Sequence, residues 1–142
     1  MLTLNDALEN REVKQMLADR AIHAAFPATD LERARRFYAE KLGLAPEREM
    51  IGALFYRCGE DTQFLLFPSQ GAANGTHTQA SWIVDDVEAE VAELKARGVV
   101  FEEYDTPHMK TVQSIAITEV ARGAWFKDSE GNLIGLVQFV RS

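Results

Sequence analysis

The chain is poor in the features that most readily assign a small protein. It has a single cysteine, Cys58, among 142 residues. That excludes an intrachain disulfide and any cysteine-rich metal site, and it suits a reducing compartment. No stretch approaches the roughly 18 consecutive apolar residues that span a bilayer. Positive charge is in deficit, with 15 Lys and Arg against 22 Asp and Glu and a net charge of −7. Such a balance argues against a nucleic-acid partner and against an anionic membrane surface. The opening MLTLNDALENREVKQ carries acids early and has no apolar core, so it does not read as a secretory signal. These absences together predict a cytoplasmic protein. Hydrophobic residues make up 46% of the chain, enough for one core in a domain of this length.

Periodicity divides what is present into two similar halves. Asn5–Arg20 has Leu8, Val13, Met16 and Leu17 near helical spacing behind a capping Asn5 or Asp6, which predicts an accessory helix over residues 1–20. A β-prone stretch, Ile22–Ala28, that Pro27 is expected to end precedes Asp30, which can cap a helix over Leu31–Leu42 that Gly43 stops. Strands are predicted at Arg48–Ile51, Leu54–Cys58 and Gln63–Pro68, and SQGAANGT then reads as a linker. The order repeats with a strand at Thr78–Val84, a helix from Val87 capped by Asp86 and closed by Gly98, and β-prone Val99–Glu103. Strands near Ser114–Thr118, Ala121–Lys127 and Leu133–Val140 follow a longer loop, with Asp128-Ser129-Glu130-Gly131 as a tight turn. The expected fold is therefore α+β: two βαβββ modules, residues 21–69 and 78–142, joined by a linker over 70–77.

Two motifs carry a resemblance. Asp30-Leu31-Glu32-Arg33-Ala34-Arg35-Arg36-Phe37-Tyr38 with Lys41-Leu42-Gly43-Leu44, and Ala124-Trp125-Phe126-Lys127-Asp128-Ser129-Glu130-Gly131-Asn132, are similar to those of the vicinal oxygen chelate superfamily. That group holds glyoxalase I, bleomycin-resistance proteins, fosfomycin-resistance enzymes and extradiol dioxygenases. The resemblance implies that the modules form a U-shaped mixed-sheet half-barrel, a glyoxalase-like cup. It also implies four positions from which the enzymes hold a divalent metal. Here they are His23, Gln79, Leu65 and Gly135. One imidazole and one neutral amide fall short of the three protein ligands a catalytic site generally needs. No cofactor is therefore expected.

Alternation along strands puts Ala25, Leu65, Phe67, Ser81, Ile83, Val137 and Phe139 on the face of His23, Gln79 and Gly135, where Gly135 leaves room. Trp82 is expected on the opposite face, in the core. Trp125 and Phe126 must point to opposite sides, and the sequence does not choose between them. The loop EEYDTPHMKTVQS brings Tyr104, His108, Met109 and Gln113 as candidate cavity-edge groups. The candidate ligand-binding set is thus His23, Gln79, Ser81, Leu65, Phe67, Tyr104, His108, Met109, Gln113, Gly135 and Val137. A mostly apolar lining with a few polar groups suits a small, partly aromatic organic molecule, bound in a homodimer. The alternatives are a metal-independent enzyme, with His23 or His108 as base and Gln79 orienting a carbonyl, and a metal-dependent lyase or dioxygenase.

Overall fold

The structure, a computed structural model, describes residues 16–140. The N-terminal helix predicted over residues 1–20 falls mostly outside them; Leu17–Asp19, its described end, is a single 3₁₀ turn. The rest follows the predicted order: β1 (Ala24–Ala28), α1 (Leu31–Leu42), β2 (Arg48–Met50), β3 (Ala53–Arg57), β4 (Gln63–Pro68), β5 (Ala80–Ile83), α2 (Val87–Ala96), β6 (Ala116–Ile117), β7 (Ala121–Lys127) and β8 (Leu133–Phe139). They form two open four-stranded mixed sheets, β1-β4-β3-β2 and β5-β8-β7-β6, each with one parallel pair. This is the paired βαβββ arrangement read from the sequence.

The helix ends show why the duplication was legible. The carboxylates of Asp30 and Asp86 accept the backbone N–H groups of Arg33 at 3.0 Å and Ala89 at 3.1 Å, satisfying donors left over in each first turn. Gly43 (φ 70°) and Gly98 (φ 96°) take the left-handed conformation that ends each helix. The two ends also meet. A Cβ on Gly43 would stand 3.0 Å from Arg97 Nη1, and one on Gly98 2.6 Å from Lys41 Nζ. Each helix thus lays a cation over the negative end of the other's dipole.

Several segments differ from expectation. Pro27 lies inside β1 rather than ending it, tolerated because β1 is an edge strand paired on one side only. Val99–Glu103 supplies a single bridge, Phe101 to Phe126, not a strand. β6 shrinks to two residues because Gln113 (φ 52°) and Ser114 (φ 76°) turn the chain just before it.

One core serves both modules. Tyr38 of α1 packs on Tyr56 and Phe64, while Val87 and Val91 of α2 pack with Phe126, Ile134 and Leu136. Trp82 lies with this core, edge-on to Phe64 at 5.7 Å, and joins the halves. A buried polar clamp reinforces the junction. Tyr38 Oη donates to Asp128 Oδ2 at 2.6 Å, and Asn132 Nδ2 donates to the Pro27 carbonyl at 3.1 Å. Glu130 accepts the Arg33 guanidinium as a fork at 2.8 and 3.0 Å, together with the Asp30 N–H at 3.1 Å.

Candidate functional site

With the helix-covered faces largely committed to the core, the opposite faces of the sheets are left to form a site. On the second sheet Ser81, Gly135 and Trp125 are direct neighbours across three strands. Trp125 therefore takes the outer face and Phe126, fully buried, the core. The indole of Trp125 occupies the room that two glycines leave. A Cβ on Gly135 would lie 3.3 Å from Trp125 Nε1 and 2.7 Å from Ser81 Oγ, and one on Gly123 would lie 3.0 Å from Trp125 Cη2. The ring thus spreads over a floor with no side chains. Tyr104 meets it edge-on, 5.7 Å between centroids at 80°.

Around this indole opens a cleft of about 660 Å³ that takes in Ser81, Ile83, Val137 and Phe139, with His108 and Met109 from the loop. That volume is in the range of small-molecule sites. Its sheet residues all belong to the second module. Ile83 and Phe139 remain 74% and 60% exposed, so one side of the cleft is open.

The loop is held by Glu103, a residue the sequence reading passed over. Its carboxylate accepts Thr111 Oγ1 at 2.7 Å, Ser114 Oγ at 2.8 Å and Ser114 N–H at 3.1 Å. Those bonds, from Thr111 first and Ser114 second, hold its pKa below the usual carboxylate range. No spacing rule marks such an anchor, because its partners lie in an irregular loop.

The first sheet has its own outer face. Arg48, Phe55, Leu65 and Ala25 are paired neighbours across four strands. The exposed His23 stands edge-on to Phe55 at 6.4 Å, and the Arg48 guanidinium lies 4.9 Å above the same ring. Phe67 is half-buried and opposite Pro27. Arg48 and Phe55 escaped the sequence reading, since Leu54-Phe55-Tyr56 is apolar throughout and shows no alternation. The remaining candidates fall elsewhere. Gln79 Oε1 accepts the Leu133 N–H at 3.3 Å, and Gln113 borders a separate cleft between α2 and the loop with Val91 and Lys95.

The four positions that the resemblance implies for a metal, His23, Gln79, Leu65 and Gly135, present an exposed imidazole, an amide oxygen engaged by the main chain, a leucine and a glycine. That donor set does not compose a three-ligand site.

The family model described as "Glyoxalase/Bleomycin resistance protein/Dioxygenase superfamily" matches residues 20–136. The chain belongs to that superfamily. Among solved structures of the superfamily's fold, UcmS2 superposes with a TM-score of 0.66 at 22% identity, covering 83% of this chain and 96% of that one. TnmS3, an antibiotic binding protein from Streptomyces sp. CB03234, gives 0.61 at 26% identity, covering 88% and 99%. A glyoxalase/bleomycin resistance protein/dioxygenase from Alicyclobacillus acidocaldarius gives 0.64 at 19% identity, covering 87% and 93%. No curated protein matches the chain. No helix among the described residues is long and apolar enough to cross a membrane.

Proposed function

We propose that this superfamily member is a binding protein. It takes up a small, partly aromatic organic molecule, without a catalytic metal, in a cup that a second copy of the chain completes. The observation that carries the reading is the Trp125 indole spread over Gly123 and Gly135 at the base of an open, largely apolar cleft. A half-buried indole bordering an open cleft is suited to stacking a flat ligand. The likeness to TnmS3 supports the class of activity. The incomplete donor set supports binding over metal-assisted chemistry. The apolar residues left uncovered on the second sheet, Ile83 and Phe139, support the dimer in this reading.

The test uses the Trp82→Phe variant, whose emission comes from Trp125 alone. Titration with 2-naphthamide, a neutral flat probe, should quench that emission with a Kd in the micromolar range. The further change Trp125→Ala should remove the thermal stabilisation that the probe confers. Elemental analysis of the purified protein should find less than 0.2 divalent metal per chain. Sedimentation should give a dimer that Phe139→Asp weakens. Stoichiometric Zn, Ni, Mn or Fe would overturn the metal-free reading, and probe stabilisation that survives Trp125→Ala would place the ligand elsewhere.

A further inference from the structure

The indole of Trp125 offers a hydrogen-bond donor as well as a stacking face. Its Nε1 stands 3.3 Å from the place a Cβ would take on Gly135, and Ser81 Oγ stands 2.7 Å from the same place. Ser81 on β5 and Trp125 on β7 flank Gly135 on β8, so the hydroxyl and the N–H approach one point from the two neighbouring strands. Neither atom has a hydrogen-bond partner among the described residues. Trp125 is half-buried, yet the buried side-chain atoms left without a partner are Tyr56 Oη and Asn132 Oδ1, so the Trp125 N–H opens on the cleft. Ser81 is exposed and borders the same cleft.

An indole N–H donates and cannot accept, whereas a serine hydroxyl turns to do either. The group that satisfies both is therefore an acceptor. No Asp or Glu lies among the cleft's described lining residues to take up the two donors. The cations that border the cleft face carboxylates of their own, Lys110 with Asp105 at 3.9 Å and Arg122 with Glu88 of α2 at 3.4 Å. Arg122, three residues before Trp125, also points to the helix side of its strand. A neutral oxygen thus suits the place better than an anion.

We infer that the ligand is a neutral aromatic carbonyl compound, its carbonyl oxygen received above Gly135 by Trp125 Nε1–H and Ser81 Oγ–H. This rests on the binding reading above and narrows the ligand class. Gly135 makes the subsite, because a side chain there would fill the space the oxygen needs. A site that pairs a polar group of its ligand rejects the analogue lacking it, since the covered donors are then left unpaired.

The experiment compares 2-acetylnaphthalene with 2-isopropenylnaphthalene, in which a CH2 group replaces the carbonyl oxygen at nearly the same shape. In calorimetric titrations the wild-type protein should bind the ketone about tenfold more tightly, and 2-naphthoate no more tightly than the ketone. Ser81→Ala should cut the ketone preference to about threefold and leave alkene affinity unchanged. In the Trp82→Phe background, 3-benzothienylalanine in place of Trp125 keeps the fused ring and removes the N–H. Joined to Ser81→Ala, it should bring ketone and alkene to roughly equal affinity. Circular dichroism checks that the variants fold. Equal binding of ketone and alkene by the wild type, with loss on Trp125→Ala, would overturn the carbonyl subsite and leave the stacking site standing. A clear preference for 2-naphthoate over the ketone would overturn the neutral acceptor. A ketone preference that survives in the doubly altered protein would overturn Ser81 and Trp125 as its donors. Binding of neither ketone nor alkene would overturn the inference together with the reading beneath it.

Discussion

At the residue scale the least comfortable backbone lies at the β2–β3 turn. Ile51 (φ 47°) and Gly52 (φ 79°) form a two-residue turn between paired Met50 and Ala53, the left-handed type that favours Asn-Gly. A β-branched side chain in that region is strained, and Ile51 has no packing in return, being 94% exposed. Ile51→Asn should therefore stabilise the fold by about 1 kcal/mol, seen as a rise in Tm of roughly 2–5 °C. An unchanged or lowered Tm would mean that the isoleucine is covered in the assembled protein. Single residues were also where the sequence spoke most clearly. The caps Asp30 and Asp86 act on donors three residues away, so a local pattern was enough to find them. Trp125 and Phe126 were indistinguishable by the same means, because both are large and apolar and only the packing of α2 decides which is buried.

At the element scale the segment from Glu103 to Ile115 forms one wall of the cleft without being a helix or a long strand. Its shape depends on two residues at positive φ, Gln113 and Ser114, the second of them held by the Glu103 carboxylate. Glu103→Gln replaces one acceptor oxygen with a donor facing hydroxyl and N–H groups already committed to it. Amide exchange should accelerate across residues 104–114 while protection in β7 and β8 is retained. Naphthamide affinity should fall as Tyr104 and Met109 lose their positions. Uniform loss of protection through the chain would show that Glu103 supports the whole fold instead. The strands of the modules were readable as β-prone runs between turn residues, whereas this loop was not, since its order comes from a side chain reaching eight to eleven residues along an irregular path.

At the scale of the molecule, the two modules are tied by the clamp around Asp128, Glu130 and Asn132. Burial alone would push the Glu130 pKa up. The Arg33 fork, the Asp30 N–H and the Ser129 hydroxyl outweigh it and hold the group at about 2. The unfolded chain titrates near the ordinary glutamate value of about 4.3. The folded state thus binds fewer protons between those values, and stability falls as pH drops from about 5 toward 2. Above that window the contribution is complete. Glu130→Gln should lower stability at pH 7 by roughly 1.5–3 kcal/mol, the range for hydrogen bonds to a charged group. It should also flatten the acid limb of the Tm–pH curve, and an equally steep limb in the variant would assign acid sensitivity to other carboxylates.

The elements of this protein, their order and their duplication follow from the sequence alone. Helix caps, glycine stops and alternating strands are set by interactions within a few residues. Which faces meet was decided by the tertiary structure. His23 came to rest beside Phe55, Gln79 bonded to Leu133, and Arg48 lay over an aromatic ring, each through contacts between strands distant in the chain. Gly135 carried the clearest hint of open space, and the fold filled it with Trp125 from the neighbouring strand. Pairing between strands depends on long-range packing of the whole core, and no local pattern specifies it.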